Sequence, residues 1–340
     1  MAKLSKKERL ARLLTQPIFE QLLLKRKLNR LSLLAYHSIQ PEMTKYPFNA
    51  EIISAFPDVF EKQLAFLKRH FNVINFAQLA ELSQDNGRYL ASDLPPNSLI
   101  LTFDDGYADN LHVAAPMLKA HDLTAVVYVA TDYIDNGAIF WFDELAYLMK
   151  RMPTGPLNLG GGLFRIDVKS QDRERERRAL GQFLQTVNDS ERIKILEEFR
   201  THSTVVVQQD DLPLAKPLTW SEVQKLTECG IEIGSHTMSH GFLDSMSSEE
   251  IKLQVIGSKA RIEEVLSRPV LSFSYPNGNF NTRVRQAVVD AGYRFAVSYQ
   301  HGVCTRFEQD QFLLPRLHVE TDVSMSLFKA NLLLPELFAR

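Results

Sequence analysis

The sequence predicts an α/β fold arranged as a barrel, because short apolar runs alternate with helix-like segments through its 340 residues. Eight runs have the length and composition of strands: 31–36, 71–76, 98–103, 124–130, 231–235, 270–275, 295–299 and 313–319. Strands that alternate with helices favour a parallel sheet. The run at 124–130 is almost continuously apolar, which is typical of a parallel strand that is buried on both faces.

Residues suited to a functional site lie at or just past the carboxyl ends of several of the predicted strands. They are Asp104, His236, Pro276 and His318. The functional face of a barrel lies at the carboxyl ends of its strands. The positions of these residues therefore support a barrel-like arrangement and place a candidate site at one end of it.

Helices are predicted between the strands from apolar residues that recur at helical spacing. They span 59–70, 110–120, 221–229, 247–266, 281–291 and 324–338. The helix at 247–266 begins with Ser-Ser-Glu-Glu, in which Ser247 and Glu250 have the spacing of a capping box.

We divide the chain into a basic N-terminal arm at 1–30 and one domain at 31–340. The arm has nine Lys or Arg residues against Glu8 and Glu20. Residues 3–30 have the pattern of a partly amphipathic helix that breaks near Pro17. Such an arm could rest on an anionic membrane surface, or it could be a solvated or core-packed helix.

The segment 143–216 interrupts the alternation of strands and helices, and we interpret it as a helical insertion within the domain. A glycine-rich patch at 155–162 precedes a highly charged helical stretch at 172–200. The charged residues form either a solvated face or a binding surface. The insertion could cover part of the site and influence substrate choice.

The composition excludes several classes of protein. A net charge of −2 and a pI near 6.5 give no reason to expect nucleic acid as a partner. Polar residues interrupt the stretch 10–24, so we expect no secretory signal. The chain has no apolar window of membrane-spanning length and only two cysteines, Cys229 and Cys304, so we expect a cytoplasmic protein. Its basic arm could place it peripherally at the inner membrane face.

Two motifs indicate the chemistry of the site. Asp104 and Asp105 end an apolar run, and His236 and His240 lie four residues apart downstream. One carboxylate and two imidazoles suit Zn²⁺ and leave a coordination position open for water. The second carboxylate is the base that a hydrolase requires. The combination predicts metal-assisted hydrolysis.

With these motifs the chain resembles the polysaccharide deacetylase family, which is built on the chitooligosaccharide deacetylase homology domain (carbohydrate esterase family 4). The matching segments are Thr-Phe-Asp-Asp-Gly at 102–106, His-Thr-Met-Ser-His at 236–240 and Phe-Ser-Tyr-Pro-Asn-Gly at 273–278. The resemblance extends from about 33 to 319 and implies a distorted (β/α) barrel of seven strands. Where many members have an arginine before the proline, this chain has Ser274 and Tyr275, which places it nearer the exopolysaccharide-type and xylanase/chitin-deacetylase-like branch.

The resemblance also implies roles for individual residues. It assigns Asp104 as the base, Asp105, His236 and His240 as metal ligands, the backbone N–H of Asn277 as an oxyanion donor, and Tyr275 to the groove wall. Arg316 could orient Asp104 in place of the missing arginine. The general acid is either His318 or His37, each at the end of a predicted strand. Zn²⁺ is the expected metal, although Co²⁺, Ni²⁺ or Mn²⁺ could occupy the same ligands.

The function implied is removal of N-acetyl groups from amino sugars of a glycan or glycan intermediate. The expected partner is an N-acetylated oligo- or polysaccharide, which could be linked to a lipid, and the arm at 3–30 could contact the membrane. One alternative is an O-acetyl esterase acting on a polysaccharide. Another is a catalytically silent carbohydrate-binding relative, which should have lost a ligand or the base, whereas this chain retains all four residues.

Overall fold

The structure is a computed structural model that describes residues 5–26, 28, 30–41, 46–82, 94–203, 205–207, 213–304 and 311–338. Its strands are β1 (Leu31–Tyr36), β2 (Ser38–Ile39), β3 (Ile53–Ala55), β4 (Asn72–Val73), β5 (Ser98–Phe103), β6 (Val126–Val129), β7 (Gly155–Leu159), β8 (Phe164–Val168), β9 (Glu232–Ser235), β10 (Ser272–Ser274), β11 (Phe295–His301) and β12 (Leu314–His318).

Its α-helices are α1 (Lys6–Leu14), α2 (Pro17–Leu24), α3 (Pro57–His70), α4 (Phe76–Glu81), α5 (Ala115–Ala120), α6 (Thr131–Asn136), α7 (Trp141–Arg151), α8 (Arg173–Leu184), α9 (Asp189–Thr201), α10 (Trp220–Glu228), α11 (Ser248–Leu266), α12 (Thr282–Asp290), α13 (Met325–Leu333) and α14 (Pro335–Phe338).

Seven parallel strands form a closed barrel, as the sequence analysis expected. Their order is β1-β12-β11-β10-β9-β6-β5, and β5 closes the barrel by pairing with β1. That closing pair is in register from Leu31 opposite Ser98 to Tyr36 opposite Phe103. The run at 71–76 forms only the two-residue strand β4, which pairs with the start of β5 beside the barrel.

Alternate residues of the strands enter two separate apolar clusters. Leu33, Ile100 and Val126 belong to one cluster, which consists mostly of strand residues inside the barrel. Leu34 and Leu101 belong to the other, which includes the buried faces of the surrounding helices. Because side chains alternate between the two faces of a strand, both sets must be apolar. This double burial explains the nearly continuous apolar runs in the sequence.

Prolines and caps set several helix ends. The predicted capping box at Ser247 is confirmed, since its side chain and that of Glu250 each accept the other residue's backbone N–H. The helix predicted at 324–338 is divided into α13 and α14 before Pro335, because proline cannot continue a helix from the preceding turn. The helix predicted at 110–120 starts as a π-helical turn, Asn110–Ala114, and becomes α5 one residue before Pro116.

The segment 143–216 includes most of α7 together with α8 and α9, and also an antiparallel hairpin of β7 and β8 that was not anticipated. The glycine-rich patch supplies the connection between the two hairpin strands, Gly160–Gly162. These elements share an apolar cluster of their own, which includes Leu148, Leu157, Ile166, Leu180 and Phe199.

The basic arm forms two short helices that meet at the expected break. Helix α1 ends at Leu14 and α2 begins at Pro17. The arm is anchored to the C-terminal helices, since Ala11 packs with Ala330 and Phe338. Among the described residues, no helix has the length and apolar character needed to cross a bilayer.

Candidate active site

A cavity of about 380 Å³ opens at the carboxyl end of the barrel strands. Asp104 and Asp105 follow β5, and His236 follows β9. These three residues, together with His240 and Asn277, line the cavity. The structure therefore brings the separate sequence motifs to one place.

The two aspartates reach the same cavity because the chain turns sharply after β5. Asp104 donates its backbone N–H to the carbonyl of Tyr36, as if continuing the strand (2.9 Å). Asp105 and Gly106 then both adopt a left-handed backbone with φ of 74°. A Cβ at position 106 would lie 2.8 Å from Cγ1 of Val129, so both space and backbone require glycine there.

His236 and His240 converge although the segment that joins them is not helical. The segment is a loop in which Thr237 and His240 have positive φ values of 69° and 52°. The Thr237 hydroxyl oxygen accepts the His240 backbone N–H (3.0 Å), and Gln254 accepts the N–H groups of Met238 and Ser239. The centroids of the two imidazole rings lie 4.8 Å apart, so this loop places the rings next to each other.

Asp105, His236 and His240 form a donor set that fits a divalent metal ion. Nε2 of His236 and Nε2 of His240 lie 3.5 and 3.2 Å from the same Asp105 oxygen. One ligand atom from each residue lies within 4.8 Å of the others. Nδ1 of His236 donates to the carbonyl of Ser274 (2.7 Å), which leaves the Nε2 lone pair available, as is usual for a metal-ligating histidine.

The charges of these residues also suit a metal. All three are buried. Burial lowers the pKa of His236 to about 4, so this imidazole is neutral near pH 7. For Asp105, burial favours a higher pKa, but its hydrogen bond and charge interaction with His240 prevail and lower the pKa. Neutral imidazole and ionised carboxylate are the forms that bind metals.

Arg316 holds Asp104 in one orientation. Its two terminal nitrogens donate to the two carboxylate oxygens of Asp104, at 2.8 and 2.7 Å. They also donate to the hydroxyls of Thr102 and Ser274, while Nε donates to the carbonyl of Ser298. All five N–H groups of this fully buried guanidinium therefore have acceptors, and its fork geometry matches the carboxylate.

The same ion pair controls the charge of Asp104. Burial favours a higher pKa, but the charge and hydrogen bonds of Arg316 outweigh it and hold the pKa of Asp104 well below its ordinary value. Asp104 is therefore ionised throughout the neutral range. An ionised, oriented carboxylate beside a metal-ligand set can accept a proton, although its low pKa makes it a weak base.

The two histidines considered as general acid occupy different places. His37 borders the cavity with the two aspartates, whereas His318 is not among the residues that line it. The ring of His318 stacks between Tyr299 and His301, with centroids 3.8 and 5.4 Å away. Its Nε2 donates to the carbonyl of Tyr299 (3.1 Å), and burial lowers its pKa to about 3.

The loop after β10 contributes Asn277 but not Tyr275. Asn277, with a φ of 52°, borders the cavity in the short turn Pro276–Gly278. Tyr275, which was expected in the groove wall, instead packs in the core against Phe273 and Phe280, with ring centroids 5.2 and 5.5 Å away. The prediction for Tyr275 was wrong because it follows a buried strand and its ring turns toward the helices rather than the cleft.

Residues of the insertion line part of the same cavity. Gln182 of α8 and Gln185, which follows α8, line the cavity, as do Trp141 and Phe142 of α7. The remaining lining residues are His37, Asn49, Glu51, Ile52, Leu145, Arg177, Arg178, Gly181 and Tyr299. The sequence analysis did not place Trp141 in the site. It had no signal for Asn49, Glu51 or Tyr299, since no motif surrounds them.

Comparison with known proteins gives a family for this arrangement. The family model described as polysaccharide deacetylase matches residues 91–160 and 183–296, together more than half of the chain. The YxkH protein of Bacillus subtilis, whose name assigns it to the polysaccharide deacetylases, is 24% identical over 145 residues, which are 43% of this chain and 52% of YxkH. The peptidoglycan-N-acetylglucosamine deacetylase of Bacillus cereus is 32% identical over 72 residues, 21% of this chain and 33% of that protein.

These alignments span only about half of YxkH and a third of the Bacillus cereus protein. Solved structures extend the likeness in fold to most of the chain. The Streptococcus pyogenes deacetylase PplD, in complex with acetate, superposes with a TM-score of 0.59 at 18% identity, covering 88% of this chain and 96% of PplD. IcaB from Ammonifex degensii superposes with a TM-score of 0.55 at 15% identity, covering 89% of this chain and 97% of IcaB. With the family model matched over more than half of its length, the chain belongs to the polysaccharide deacetylase family.

Proposed function

We propose that the protein is a metal-dependent hydrolase that removes N-acetyl groups from amino sugars of a glycan. The observation that supports this most directly is the position of Asp104. Arg316 holds it ionised and oriented beside the buried set of Asp105, His236 and His240, at the mouth of one cavity. A base next to a three-residue set of candidate metal ligands suits metal-assisted hydrolysis of an acetyl group.

We propose a separate role for each residue of the site. Asp105, His236 and His240 would hold the metal, for which we propose Zn²⁺. A divalent ion bound there would supply Lewis acidity for the activation of water and of the acetyl carbonyl. Asp104 accepts the proton from the attacking water, and Arg316 keeps the receiving carboxylate in place. The backbone N–H of Asn277 is our proposed donor to the oxyanion that forms at the carbonyl.

We assign proton donation to the leaving amine to His37. It lines the cavity, whereas His318 does not and has its Nε2 hydrogen occupied by the carbonyl of Tyr299. The pKa of His318, lowered to about 3 by burial, also means that this imidazole carries no extra proton near pH 7. A departing amine needs a proton as the carbon–nitrogen bond breaks, so a donor must lie within reach of the substrate.

Replacing His37 by Ala should slow amide hydrolysis by about 10²–10⁴-fold, the usual contribution of a general acid. Hydrolysis of 4-nitrophenyl acetate should fall much less, because nitrophenolate leaves without protonation. The measurement is kcat on both substrates for His37→Ala and for His318→Ala. If His318→Ala selectively loses amide hydrolysis while His37→Ala does not, the assignment is reversed.

The name of the Bacillus cereus relative, a peptidoglycan-N-acetylglucosamine deacetylase, supports the N-acetyl group as substrate. The direct test is acetate release by the purified protein from N-acetylglucosamine oligomers and from O-acetylated xylo-oligosaccharides, before and after chelation and after Zn²⁺ is restored. We expect metal-dependent release from the N-acetylated oligomers. Release only from the esters would favour the O-acetyl esterase. Binding of either oligomer with no release would favour the silent carbohydrate-binding relative.

A further inference from the structure

The outer surface of the arm helices α1 and α2 is unusually apolar. We call it the arm surface and define it by Leu10, Leu13, Ile18, Phe19 and Leu22, whose exposed fractions range from 42% to 74%. The residues recur at helical spacing, with Leu10 and Leu13 on α1 and Ile18 and Leu22 on α2. Single exposed apolar residues are ordinary, but five within thirteen positions form a patch that indicates an interaction.

The charges around the arm surface have one sign. The described arm contains seven cationic residues, of which Arg30 is buried and paired with Glu336; the other six are Lys6, Lys7, Arg9, Arg12, Lys25 and Arg26. The side chains of the two acidic residues of the arm, Glu8 and Glu20, face the rest of the protein. Glu8 is buried and accepts hydrogen bonds from Arg12 and from Ser324, and Glu20 accepts from Lys329 of α13. The acids therefore anchor the arm, while cations border its apolar outer side.

The arm also lies near the end of the barrel that carries the cavity. His301 ends β11, next to the rings of His318 and Tyr299, and Tyr299 lines the cavity. Ser324, which follows β12 at this end of the barrel, donates its hydroxyl to Glu8 of α1 (2.8 Å), so the start of α1 lies near this rim. A surface bound by the arm would therefore be close to the catalytic end of the barrel.

We propose that the arm surface binds the face of an anionic phospholipid bilayer, with its apolar side chains among the acyl chains and its cations at the headgroups. Amphipathic helices that combine an exposed apolar stripe with flanking Lys and Arg bind such interfaces. Each Lys or Arg near an anionic surface adds to the attraction. The binding does not depend on the proposed deacetylase activity.

A second copy of the chain is the competing occupant of the arm surface. In a symmetric dimer the same patch would face itself, which would bring the cations of two arms together. The acids that could compensate, Glu8 and Glu20, are already paired on the inner side. Charge complementarity therefore favours an anionic bilayer over self-association.

The test is co-sedimentation of the full chain with vesicles of phosphatidylcholine alone or mixed with phosphatidylglycerol. We expect the mixed vesicles to bind at least about tenfold more tightly and added salt to weaken the binding. Ile18→Ser/Leu22→Ser should reduce binding about tenfold or more. The matched control is Leu253→Ser on α11, which replaces a residue of similar exposure (62%) outside the arm and should bind as the wild type does.

Three outcomes would overturn the proposal: no binding of the wild type to mixed vesicles, equal losses in the arm variant and in Leu253→Ser, or a wild-type dimer that Ile18→Ser/Leu22→Ser dissociates. Acetate release from a soluble oligomer serves as an independent readout and should be equal in all these proteins. If the deacetylase proposal also holds, the arm would bring the cavity to a glycan carried on a lipid, so lipid-linked substrate in mixed vesicles should be deacetylated faster by the wild type than by the arm variant.

Discussion

Asp104→Asn is expected to lower the rate of deacetylation by about 10²–10⁴-fold, which is the range for loss of a general base. The substitution keeps the shape of the side chain and removes the charge that accepts a proton. Metal binding should persist, because Asp105, His236 and His240 are unchanged. The measurements are kcat for acetate release and Zn²⁺ affinity by calorimetry, on the same preparations.

This variant also has a cost in stability that must be separated from its effect on chemistry. Arg316 is fully buried and would lose its charge partner, and breaking a buried ion pair costs about 3–5 kcal/mol. The double variant Asp104→Asn/Arg316→Gln removes both charges and provides a folded comparison if the single variant unfolds. A folded protein without the Asp104 carboxylate that retains wild-type kcat would exclude Asp104 as the base.

His240→Ala should lower the affinity for Zn²⁺ by more than about 100-fold. Loss of an outer partner of a metal ligand already costs about 10–100-fold, and removal of a ligand should cost more. The remaining pair, Asp105 and His236, cannot supply the three protein ligands that catalytic zinc sites use. Titration of chelator-treated protein by calorimetry measures the change directly.

His318→Ala is the matched control for this experiment, since it removes a partly buried imidazole near the cavity that does not belong to the donor set. Its Zn²⁺ affinity should equal that of the wild type. Thermal unfolding without metal should be similar for His240→Ala and wild type, which shows that the loss is local. Unchanged affinity in His240→Ala would remove this residue from the proposed ligands.

The sequence predicted most of the barrel strands because the apolar pattern of a strand is visible in a few consecutive residues. The eight apolar runs correspond to the seven barrel strands and β4, since a strand buried on both faces must be apolar at both alternating sets of positions. The capping box at Ser247 could also be predicted from the sequence, because its partner Glu250 lies only three residues away. The hairpin β7–β8 was missed because its strands are only partly buried and the surrounding charges resemble a helix.

The candidate site, too, could be predicted from the sequence only in part. The aspartate pair and the histidine pair are each visible as short motifs, and Arg316 was noticed near the last strand. Position in sequence could not separate His37 from His318, because both end barrel strands, β1 and β12. Only packing separates them: His37 borders the cavity, while His318 is held between Tyr299 and His301.

The sequence by itself therefore determined the family, the alternating strands and helices, and the residue types that can bind a metal and move a proton, because these depend on neighbours a few positions apart. Tertiary structure decided which of those residues meet. The pairing of Arg316 with Asp104 joins positions 212 residues apart, and the wall formed by α8 depends on how the insertion packs over the barrel. Contacts of that kind arise from closure of the barrel and burial of apolar surface across the whole domain, which no local pattern encodes.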